Sequence, residues 1–187
     1  MYNVERNSGG FFMLNLLKEC KNHNKVASLY FNKEDNCSHL TGFVYAFNDT
    51  ELLVAHINAR GEYDGFVLNG VNNLYRVDCG HDYENKISAL YTLKKQKHPM
   101  ITINEENILF SLLDFAFVNK LLVTLELDNN TVTGYVVSYD GFITLNIVDP
   151  YGKNNGKCII DIDEVITFAC DTDDEQDLRI LNLLQKK

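Results

Sequence analysis

The chain has 187 residues, 45% of them hydrophobic and 23% charged, with a formal net charge of -9. That apolar share, rich in Phe, Tyr, Ile, Leu and Val, is enough to build packed cores and excludes intrinsic disorder. The charge is uneven: residues 1–97 hold 11 Lys/Arg against 11 Asp/Glu, and residues 98–187 hold 6 against 15. A general phosphate-backbone binder needs a basic face, so no DNA partner is expected.

The first apolar stretch, near Phe11 to Leu17, ends at Lys18 and Glu19. It falls well short of the roughly 20 residues a membrane helix needs, so no span is expected. Met1 to Cys20 lacks the basic start and small-residue cleavage site of a secretory signal, and the expected location is cytoplasmic. Within the same stretch Phe12, Leu16 and Leu17 recur at helical spacing and mark a first helix.

Five apolar runs follow: Val26 to Phe31, Leu40 to Phe47, Leu52 to Ile57, Gly65 to Leu68 and Leu74 to Val77, each read as a strand. Asp82-Tyr83-Glu84 then opens a helix through Ile87, Leu90 and Leu93, its acids suited to the positive end of the helix dipole. Lys94 to Asn104, which contains Pro99, reads as the connection.

The succession then repeats. Ile108, Leu112 and Leu113 mark a helix, and Val123, Leu125 and Leu127 alternate with polar neighbours. Thr131 to Tyr139 and Phe142 to Val148 flank the hairpin signal Asp140-Gly141. Cys158 to Ile162 and Val165 to Phe168 complete five strands, and Asp173-Asp174-Glu175 opens the last helix.

The two halves align residue by residue. Gly61, Gly65, Cys79, Asp82, Glu84, Leu90 and Leu93 meet their counterparts, Gly152 to Leu184, at a constant offset of 91. Thr41-Gly42-Phe43-Val44 meets Thr133-Gly134-Tyr135-Val136 at 92, and Ala27, Leu29 and Phe31 meet Val123, Leu125 and Leu127 at 96. Offsets that step where loops tolerate length changes are what a diverged tandem duplication leaves. The expected organisation is a first unit at 1–95, a linker at 96–104 and a second unit at 105–187. The expected class is mainly β with flanking helices (α+β), as two tandem, strongly bent five-stranded barrels.

A five-strand run with glycine in mid second strand, Gly42 and Gly134 here, resembles the small barrels of the Sm-like family. The description also suits SH3-like and Tudor-like barrels. In the second copy Asp140, Phe142 and Thr144 follow Gly134 by six, eight and ten residues, the spacing of the family's first motif. The resemblance implies an orienting aspartate, a planar residue that stacks on a base and an asparagine that reads a uracil edge. Thr144 replaces that asparagine and can form part of its hydrogen-bond pattern. The first copy aligns Asn48, Thr50 and Leu52 to the same places. Asn69-Gly70 resembles the family's second motif without its basic residue, and Ile160-Asp161-Ile162-Asp163 puts acid there in the second copy.

Five scattered cysteines, Cys20, Cys37, Cys79, Cys158 and Cys170, suit free and mostly buried thiols. Cys79-Gly80-His81-Asp82 has metal-binding residue types, but its counterpart Cys170-Asp171-Thr172-Asp173 lacks the histidine and reads as a packed thiol before a helix cap. No nucleophile elbow, phosphate-cradling loop or paired metal-binding histidine is present, so neither catalysis, nor a metal, nor a cofactor is expected. The leading expectation is a binding or assembly module that engages protein partners or further copies of itself. RNA binding through Asp140, Phe142, Thr144, Asn69 and Gly70 is the alternative, and a small-ligand sensor or hydrolase the third reading.

Overall fold

A computed structural model describes residues 5–35 and 37–185. Residues 1–4, 36 and 186–187, which the expected units include, lie outside the described residues. The first half runs α1 (Glu5–Asn22), β1 (Val26–Tyr30), β2 (Leu40–Phe47), β3 (Glu51–Ile57), β4 (Tyr63–Gly70), β5 (Arg76–Cys79) and α2 (Asp82–Leu93). The second runs α3 (Ile108–Asn119), β6 (Leu122–Leu127), β7 (Asn130–Asp140), β8 (Phe142–Val148), β9 (Asn154–Asp161), β10 (Thr167–Cys170) and α4 (Asp173–Leu184). A short 3-10 turn, Val71–Asn73 or Ile162–Glu164, precedes the fifth strand in each half.

The protein is mainly β with flanking helices, but it does not form two five-stranded barrels. All ten strands lie in one open antiparallel sheet, in the order β5-β1-β2-β3-β4-β10-β6-β7-β8-β9. Closing a barrel from the first half would need its terminal strands, β4 and β5, to pair with each other. Instead the outer edge of β4 is taken by β10 of the other half, with Phe168 opposite Leu68 and Cys170 opposite Phe66. Among the described residues the strands at the two ends, β5 and β9, each pair on one side only.

The glycines expected to bend the second strands are buried and approach the next strand closely. A methyl group on Gly42 would run into the Ala55 carbonyl, and one on Gly134 into the Asn146 carbonyl. Two residues further on, both strands slip register by one, between Val44 and Ala46 and between Val136 and Ser138. Such a bulge increases local twist and curves the sheet. Leu74, expected to begin a strand, instead follows the 3-10 turn and donates its N–H back to Val71 O at 3.0 Å.

The helices begin and end alike in the two halves. The first helix of each stops at a left-handed residue, Asn24 (φ 49°) or Lys120 (φ 53°), with Lys25 N donating to Cys20 O and Leu121 N to Ala116 O, both at 2.9 Å. Those αL caps satisfy carbonyls that the last turn would otherwise orphan. At the start of the last helix, His81 N donates to Glu84 Oε2 (3.1 Å) and Thr172 N to Glu175 Oε2 (2.7 Å). The Cys-Gly-His-Asp segment is therefore the start of a capped helix. Among the described residues no group of three or more His, Cys, Asp or Glu side chains is disposed to hold a metal ion. Nor is any helix long and apolar enough to cross a membrane.

One core crosses between the halves: Leu53, Phe66 and Leu68 pack with Leu112, Leu125 and Phe168. Burying such side chains contributes about 1.5–3 kcal/mol each, so the joint is part of the fold's stability. A second cluster lies between α1 and the first-half strands, built on Leu17, Leu29, Val44 and Leu52. The connecting residues pack as well: Ile101 is buried, and its N–H donates to Tyr45 Oη at 2.7 Å.

Candidate functional site

Register decides which residues correspond between the halves. Glu51 opens β3 opposite Gly70, just before one 3-10 turn, and Phe142 opens β8 opposite Asp161, just before the other. Glu51 thus corresponds to Phe142, and Leu53 to Thr144. The sequence alignment of Thr50 and Leu52 to those places is off by one, because the turn after Phe47 holds one residue more than the turn after Tyr139.

Asp140 and Phe142 are brought together across Gly141, whose φ of +69° suits a tight turn, and the Phe142 ring is 54% exposed. Thr144 lies two residues on along the same face of β8 and is half-buried. Asn69 and Gly70 are not beside them, since β10, β6 and β7 lie between β4 and β8. They line a separate groove of about 530 Å3 at the joint, with Asn73, Phe110, Ile162 and Asp163. The link between the two places is indirect: Ile162 N donates to Gly141 O at 3.2 Å.

What surrounds the joint was not visible from motifs. The Glu51 carboxylate accepts from Ile108 N (2.9 Å) and Leu109 N (3.1 Å), so a first-half residue caps the second half's first helix. Asp64 accepts from Asp173 N at 2.7 Å and lies 3.1 Å from His56 Nδ1, while Tyr63 donates to Asp171 at 2.7 Å. Burial alone would raise the Asp64 carboxyl, but the His56 ring and the Asp173 N–H outweigh it and hold it below the usual range. Burial, reinforced by Asp171, pushes the Tyr63 hydroxyl up. The available signal was Asp64, a carboxylate directly before the apolar run Gly65 to Leu68.

Toward the two ends of the sheet the corresponding places are more exposed. Leu68 is 6% exposed under the second half, whereas Ile159, its counterpart on β9, is 71% exposed. Ile108 is fully buried at the joint, whereas Phe12, its counterpart on α1, is 71% exposed. The edge of β9, Phe142 and Ile159 form one open surface, and the edge of β5 forms the other.

Set against known proteins, the chain matches no family model, no curated protein and no solved structure.

Proposed function

We propose that this protein is a non-catalytic assembly module that joins protein partners, further copies of itself first among them, through its two open strand edges. The observation that carries the reading is the β4–β10 joint. It is an antiparallel strand addition, and the counterparts of its two strands, β9 and β5, are the sheet's two unpaired edges. Open edges are templates for further strands. Natural sheets usually protect them, yet here exposed Ile159 and Phe142 stand beside one.

Transferring the internal register gives the contact. Phe168 faces Leu68 within the chain, so Val77 of one copy faces Ile159 of the next, and Cys79 faces Lys157. The start of α1 then lies over Phe142 as α3 lies over Glu51. This association is heterologous, and it builds rings or filaments according to whether the rotation closes. The matching order of elements in the two halves supports their origin by duplication, and the resemblance to the Sm-like family remains part of this proposal.

The test is a disulfide between copies. The Val77→Cys, Ile159→Cys double variant, in a background with the five native cysteines replaced by Ser or Ala, is expected to give a ladder of cross-linked multimers under mild oxidation. Each single-cysteine variant is expected to give at most a dimer. A double variant that stays monomeric contradicts the register.

RNA binding is the weaker reading. The exposed Phe142 ring is free to stack, but Asp161 sits opposite it in the ladder and Asp163 lies two residues on, acids that repel phosphate. An oligo-U titration at low salt showing tight binding lost in Phe142→Ala would favour it over assembly.

A further inference from the structure

A groove of about 740 Å3 lies between the end of α3 and the end of α4, over the second-half sheet. Its walls are apolar, from Phe117, Val118, Leu121 and Leu183, and its polar lining is Tyr135, Asn146, Lys120 and Arg179. Both charged residues among the lining are cations. Only four cations, Lys120, Lys153, Lys157 and Arg179, fall among the described residues of the acidic half beyond His98. Two of them line this groove, and Lys157 extends the strand row Tyr135, Asn146, Lys157 that floors it. The acid nearest Arg179 is Asp171, 4.0 Å away and already receiving the Tyr63 hydroxyl.

The first half shows the same place filled. Its matching row is Phe43, Ala55, Phe66. Tyr91 of α2 packs on Phe43 with ring centroids 5.4 Å apart, and His98 packs on Phe66 at 5.3 Å. The second half has Asn182 where Tyr91 stands, its amide donating to Gly152 O at 2.8 Å and its Oδ1 accepting from the Tyr135 hydroxyl at 3.4 Å. With no aromatic cover, the second-half row is polar and the groove stays open.

From this geometry we propose that the groove binds a small amphipathic carboxylate of fatty-acid type. The carboxylate pairs with Arg179 and Lys120, and the alkyl chain lies along Phe117, Val118 and Leu183. A site of this volume, mostly apolar with a few convergent polar groups, is the usual make-up of a small-molecule pocket. The guanidinium offers the paired donors that a carboxylate accepts. This site is separate from the strand edges, so it stands or falls independently of self-assembly.

Equilibrium dialysis of the full chain against labelled dodecanoate, below its micelle concentration, tests the proposal. Saturable uptake is expected, with affinity reduced at least about tenfold in Lys120→Ala, Arg179→Ala and in Leu183→Asp. Dodecanol, which keeps the chain, and butyrate, which keeps the charge, are expected to bind at least about tenfold more weakly than dodecanoate. All substituted residues are at the surface, and far-UV circular dichroism confirms that each variant is folded. Absence of saturable uptake, equal binding of dodecanol, or undiminished binding by the folded charge-deleted variant overturns the proposal.

Discussion

Leu68 on β4 stands opposite Phe168 on β10, both buried, in the ladder that joins the two halves. Phe168 touches a core drawn from both halves, so its loss is felt by both. Phe168→Ala is expected to cost about 3–5 kcal/mol. Urea unfolding is expected to remain a single transition shifted to lower denaturant. Two separated transitions in the wild-type protein would mean that the halves fold independently and that the shared core contributes little.

Acid should weaken the fold through His98. Burial holds its ring down to about 4, with Nε2 against His56 O (2.8 Å) and Nδ1 against Tyr91 Oη (2.8 Å). Between the ordinary histidine value near 6.5 and about 4, the unfolded chain takes up a proton that the folded chain refuses, so stability falls as pH falls. The full effect is on the order of 3 kcal/mol, reached near pH 4 and constant below it. Asp64 adds loss at lower pH, because its depressed carboxyl stabilises the fold only while ionised. Urea midpoints from pH 7 to 4 should drop in the wild type and drop less in His98→Gln; parallel curves would refute the assignment.

Thiol reactivity should follow burial. Cys37 is exposed, whereas Cys20 and Cys170 are buried. Burial, with Cys79 as neighbour, pushes the Cys20 thiol up to about 12, and burial also raises Cys170. Since the thiolate is the reactive form, a disulfide reagent in native buffer should modify Cys37 first and leave Cys20 and Cys170 untouched until denaturant is added. Cys170 labelling at the rate of Cys37 would contradict its place between β4 and β6.

The helices, the hairpin at Gly141 and most strands were legible because periodicity and turn chemistry are local. Gly42 and Gly134 were legible as special positions, and their role proves to be close backbone approach followed by a bulge. The sheet's continuity was not legible. The unbroken apolar run along β4 marks it as a strand buried on both faces, but its N–H and C=O groups carry no mark of whether β5 or β10 receives them. The capping of α3 by Glu51 was hidden for the same reason: contacts between residues 57 apart depend on how the halves meet. The one-residue slip in aligning Phe142 arose because loop length is invisible to spacing counted from Gly134. Asn69 and Gly70 did mark a groove, though not the one that holds Phe142.

Assembly through open edges is tested most directly by sedimentation velocity of the full chain over micromolar concentrations. The wild-type protein is expected to sediment well above its monomer mass of 21.4 kDa. Phe142→Asp, Ile159→Asp, which charges the β9 surface without touching the core, is expected to return it to that mass while leaving its unfolding transition unchanged. A wild-type protein that remains at 21.4 kDa throughout would contradict self-assembly.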